Sequence, residues 1–162
     1  MALELCVSHY YRGKDANNNH KGFHRAIFII THPLTDPPHG TVYHVVHGRP
    51  IFEYMTKHTD ITLRQFERYG GRTKIGDVQT SDMDAIEEIL RNVEVIRDIN
   101  SDWNCQAWTR DGVKALSKRG FVDTTVADQL DGALAKTEAY FITGLEKRYS
   151  ANYSYLHILS HF

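Results

Sequence analysis

Apolar positions in the first half of the chain alternate or run together, and in the second half they recur every three or four residues. "LELCVSHYY" (3–11) mixes alternation with aromatic character, and "FHRAIFIITH" (23–32) is β-branched and aromatic, so both predict strands. Between them "RGKDANNNHKG" (12–22) is polar and without periodicity, a loop. "PLTDPPHG" (33–40) is a turn-rich connection to a further strand, "TVYHVVHG" (41–48), and "PIFEYMTKH" (50–58) predicts the next, with Gly48 and Arg49 in a tight hairpin turn. An antiparallel meander follows from this order. The stretch 61–78 fits one more strand or two, broken at Gly70 and Gly71.

The period then changes. "SDMDAIEEILRNV" offers Ser81 as N-cap with Asp84 three residues later, and places Ile86, Ile89, Leu90 and Val93 on one face, so a short helix is predicted to end near Asn92. "VEVIRDI" (93–99) reads as an extended link. In "SDWNCQAWTRDGVKALSKRG" (101–120), Trp108, Gly112, Ala115 and Leu116 form the stripe of a second helix, capped by Asp102 or Asn104 and closed by two cations and Gly120. A last helix is predicted over 126–148, striped by Leu130, Leu134, Phe141 and Leu145. Strands first and helices after predict an α+β fold, an antiparallel sheet packed against helices. No repeat or linker divides the chain, and 1–162 is expected to form a single domain.

Composition narrows the partners. With 19 basic and 20 acidic side chains and a net charge of -1, nothing draws the chain to nucleic acid or an anionic membrane. A small molecule or another protein is the expected partner, and the oligomeric state is left open. No apolar run approaches the roughly 20 residues of a membrane span, and Glu4 interrupts the N-terminal apolar stretch where a leader would need it. Two cysteines 99 positions apart form no disulfide framework, which favours a reducing, cytoplasmic setting. Ten histidines are the unusual feature, but there is no CxxC, no HExxH and no other convincing ligand pair, so neither metal nor cofactor is expected.

Extending the second helix's stripe back by three residues reaches Cys105, at the N-terminal end of the inward face. Unpaired N–H groups and the helix dipole favour a thiolate there, and the same N–H groups can receive an oxyanion. The competing reading is a small buried hydrophobe, the usual fate of a free cysteine. A nucleophile needs an imidazole and a third polar group. His24 opens one strand and His44 lies inside the next; in an antiparallel pair the two rings can meet, with His24 as base and His44 as orienter. Tyr10, Trp103 and Gln106 lie near these motifs as candidate substrate-binding residues, while Trp108 fits the core better.

The order "HRAIFII", "VYHVV", "WNCQAW" resembles the circularly permuted branch of the papain-like NlpC superfamily, in which histidine precedes cysteine along the chain. Lecithin:retinol acyltransferase-like proteins look similar, with a strand opening on a histidine, a second histidine in the following strand and a later Asn-Cys pair starting a helix. The run from "KIGDV" through "WNCQAWTRDGVKAL" also resembles small fungal proteins with a WNCQ-x-W block. The resemblance implies a permuted papain-like cysteine hydrolase fold with Cys105 as nucleophile, His24 as general base and acid, and His44 as third member. It implies a hydrolase or acyltransferase acting on an ester, thioester or amide of a small molecule or peptide. PPPDE-type deubiquitinating peptidases share the order His then Asn-Cys, so an isopeptidase for ubiquitin-like tails is the alternative enzyme. A binding protein that keeps the scaffold without catalysis is the alternative from another class.

Overall fold

The structure, a computed structural model, describes residues 2–32, 39–47, 52–62, 69–97 and 102–159, with side chains described outside 47, 52–62 and 147–159. Five strands, β1 (Ala2–Tyr10), β2 (His24–His32), β3 (His39–His47), β4 (Phe52–Thr62) and β5 (Tyr69–Gln79), form one sheet in the order β4-β3-β2-β1-β5. Every pairing is antiparallel, and the first four strands form the expected meander. Of the predicted connection 33–40, His39 and Gly40 belong to β3 instead, while 33–38, like the predicted turn at Gly48 and Arg49, lie outside the described residues. β5 does not continue the meander; it returns to the opposite edge and pairs with β1.

The glycines expected to break that last strand lie within it. The register shifts between His9 and Tyr10, where Tyr10 pairs with Tyr69 and His9 with Gly71, so one extra residue bulges. Gly71 takes φ +119°, a conformation that other residues rarely adopt, and the bulge absorbs the break.

Helices α1 (Met83–Arg91), α2 (Cys105–Lys118), α3 (Thr124–Asp128) and α4 (Leu130–Leu159) follow, so the α+β class holds. The first helix begins later than the Ser81 cap implies, because Thr80–Asp82 form a 3₁₀ turn and Asp82 Oδ2 accepts the N–H of Gln79 at 2.7 Å. The single helix expected over 126–148 is two: Asp123 caps α3 through the N–H of Thr125, the chain turns at Gln129, and α4 starts anew.

The helices pack on one face of the sheet. Leu3, Leu5, Val7, Ile27, Ile29, Tyr43 and Val45 face Ile86 and Leu90 of α1 and Trp108, Val113 and Leu116 of α2. Gly112 permits the closest approach, since a Cβ there would stand 2.9 Å from Ile27 Cδ1 and 3.1 Å from Leu90 Cδ2. Cys6, Tyr10, Ala26, Phe28, Ile30 and Val42 form a second cluster on the other face. Residues 25–30 of β2 are buried on both faces, which explains why that strand reads as a continuous run. Among the described residues, no helix is long and apolar enough to cross a membrane.

Candidate active site

At one end of the sheet the ladder between β2 and β3 stops. It runs from His32↔His39 to Ile27↔Tyr43, and residues 24–26 of β2 lie beyond it. Carbonyls in this segment and just before it need partners, and α2 supplies two. Gln106 Nε2 donates to Phe23 O at 2.8 Å, and Thr109 Oγ1 donates to Arg25 O at 3.3 Å while also reaching Cys105 O at 2.8 Å. These two struts bracket His24. The start of α2 is itself fixed by Asn104, one of the two predicted caps, whose Oδ1 accepts the N–H of Gln106 at 2.8 Å and of Ala107 at 3.2 Å. Cys105 follows as the first helical residue.

The two predicted histidines come together. His24 Nε2 lies 3.0 Å from His44 Nδ1, with the rings 5.3 Å apart and 66° to one another. Tyr10, directly opposite His24 in the ladder, covers the other side at 5.9 Å. Burial first, then the like charge of His44 and then that of Arg12, lower the His24 pKa from 6.5 to about 4. The ring is therefore neutral at pH 7, the form that accepts a proton. The His44 contact uses Nε2 and leaves Nδ1 of His24 for another partner.

Cys105 is buried, 7% exposed, and its side chain belongs to the helix-side core. Strand alternation puts His24 and His44 on the face of Ala26 and Val42, so the imidazoles and the thiol lie on opposite faces of the sheet. Among the described residues no hydrogen bond joins Cys105 Sγ to either ring. Cys6 stands in contrast. It is fully buried, donates to Phe28 O at 3.4 Å, and burial pushes its thiol far above the ordinary range. A thiol held in the protonated form is no nucleophile.

Of the candidate substrate-binding residues, Tyr10 is buried against His24 and its phenol is raised by burial. Trp103 packs on the helix-side core, and Gln106 spends its amide on the strut. Trp108 is core, as its place on the stripe implies. Sequence reasoning passed over Thr109, whose buried hydroxyl carries the second strut; its position four residues after Cys105 on the inward face was the available signal. It also passed over a polar network beside the site. His9 Nδ1 lies 2.9 Å from Glu138 Oε1, Arg25 Nε donates to the same oxygen at 2.8 Å, and His9 Nε2 lies 3.0 Å from Thr73 Oγ1. Burial acts to raise the Glu138 pKa, but the His9 and Arg25 hydrogen bonds outweigh it and hold the carboxyl below its usual range. Among the described residues, no group of three or more His, Cys, Asp or Glu side chains is placed to hold a metal ion.

No curated protein and no solved structure matches the chain. One family model does, over residues 10–123, a span that contains Tyr10, His24, His44 and Cys105. The chain thus belongs to DUF6540, a family of unknown function.

Proposed function

We propose that the protein is a cysteine-dependent acyl-transfer enzyme on a permuted papain-like scaffold, with Cys105 as nucleophile, His24 as base and His44 as orienter. The observation that carries this reading is the 3.0 Å contact between His24 Nε2 and His44 Nδ1 in a strand segment clamped to the start of the Cys105 helix. The third group fixes the ring and leaves the other nitrogen for the thiol. His24 Nδ1 takes the thiol proton, and Sγ adds to the carbonyl carbon of an ester, thioester or amide. The resulting oxyanion meets the N–H of Cys105, which is not among the donors that the Asn104 cap engages. The proton passes from His24 to the leaving group as the tetrahedral intermediate collapses to a thioester. Water or an acceptor nucleophile then releases the acyl group. A thiolate beside the ring raises the His24 pKa again, since an opposite charge favours the imidazolium.

The test is the rate of Cys105 alkylation by iodoacetamide against pH, read by mass spectrometry in the parent and in His24→Ala. Labelling with an apparent pKa below about 8.5 that slows at least tenfold in the variant is expected. Slow labelling that ignores the mutation sinks the enzyme reading. A second reading, a binding protein without catalysis, rests on a specific observation: the thiol is 7% exposed and lies in the core cluster. It takes over if the labelling fails.

A further inference from the structure

A second group of side chains stands apart from the chemistry proposed above. The loop 12–22 folds back on itself: Lys14 bridges to His20, Lys21 N donates to Gly13 O at 2.9 Å, and Asp15 Oδ1 accepts the N–H of Asn17 and Asn19. This holds His20 over Tyr11, with the phenolic oxygen 2.8 Å from Nδ1. α4 closes the other side. The Phe141 ring lies 5.5 Å from that of Tyr11 and 5.8 Å from that of Phe23, and Glu146 Oε1 stands 3.5 Å from His20 Nε2. Between loop and helix is a cavity of about 550 Å³, lined by Tyr11, Lys14, His20, Phe141, Leu145 and Glu146 with Gly13. That volume is in the range of small-molecule sites.

The lining specifies a class of ligand. Tyr11, Phe141 and Leu145 offer aromatic and aliphatic surface, suited to a flat apolar body. Lys14 and Glu146 carry opposite charges, so the site as a whole favours neither an anion nor a cation. The carboxylate beside Nε2 favours the ring tautomer with its proton there, which makes Nδ1 an acceptor for the Tyr11 O–H. The phenolic oxygen then keeps its lone pairs for a donor on the ligand. We propose that this cavity binds an uncharged planar molecule with one hydroxyl or N–H donor, an aromatic alcohol being the simplest form.

The experiment is calorimetric titration with 2-naphthol and with 2-naphthoate, on the full chain and on Cys105→Ala, which removes the thiol chemistry. Saturable binding of 2-naphthol to both proteins is expected, tighter than that of 2-naphthoate. Tyr11→Phe keeps the ring contacts and removes the hydroxyl, and should weaken 2-naphthol about five- to tenfold. Leu145→Trp fills the cavity and should abolish binding. The proposal is overturned by absence of saturable binding, by equal affinity for the naphthoate, or by binding that neither variant changes.

Discussion

His24 ties the candidate site to the stability of the fold. Its folded pKa of about 4 lies below the ordinary 6.5, so the unfolded chain binds the proton more readily. The sign follows from linkage: the contribution is fully present above about pH 6.5, declines as pH falls, and is gone once pH passes below the folded value. The full gap corresponds to on the order of 3 kcal/mol. Urea unfolding at steps from pH 7.5 to 4.5 should show a steeper loss in the parent than in His24→Gln; parallel curves would mean that the ring is not held neutral by its surroundings. The pairing of His24 with His44 was legible in the sequence, because two strands joined by one loop constrain each other. The role of Gln106 was not. A glutamine beside a candidate nucleophile reads as substrate-binding, and only the packing of α2 against the residue before β2 turns it into a partner for Phe23 O.

Among the elements, α2 bears most directly on the site, and its attachment can be weakened at two points. Asn104→Ala removes the acceptor for two N–H groups and should cost about 1 kcal/mol in denaturant stability. Thr109→Val keeps the shape of a fully buried side chain but leaves Arg25 O without its hydroxyl donor, at about 1–3 kcal/mol. If the struts position Cys105 beside His24, Thr109→Val should also slow Cys105 alkylation at pH 7, whereas a merely destabilised protein would label faster through opening. The start of α2 was readable, since the Asn104 cap is one of the two foreseen, whereas α1 starts two residues after the Ser81 cap because a 3₁₀ turn precedes it. What was hidden depended on distant partners. The bulge at Gly71 exists because β5 pairs with β1 some 60 residues earlier in the chain, and no local pattern announces that β5 returns to the far edge.

Across the whole molecule, the longest helix is joined to the sheet by charge as well as by apolar contact. Glu138 of α4 accepts from Arg25 of β2 and lies against His9 of β1, residues 113 and 129 positions away, with His9 fully buried and Arg25 8% exposed. Separations of that length leave no trace in periodicity, which is why neither His9 nor Arg25 stood out in the sequence. Removing one partner of a part-buried charged pair strands the other, so Glu138→Leu should cost about 1.5–3 kcal/mol. Replacing both charges is a different matter. Arg25→Met with Glu138→Leu removes the unmet charge together with its partner, and should recover much of that loss, the remainder reflecting the His9 contact. Unfolding of the two single variants, the double variant and the parent at pH 7 completes a double-mutant cycle. Strong coupling between the sites would mean that the network sets how α4 sits on the sheet. Additive losses would mean instead that α4 is held by Leu130, Leu134 and the Phe23–Phe141 contact, with the charges merely tolerated among them.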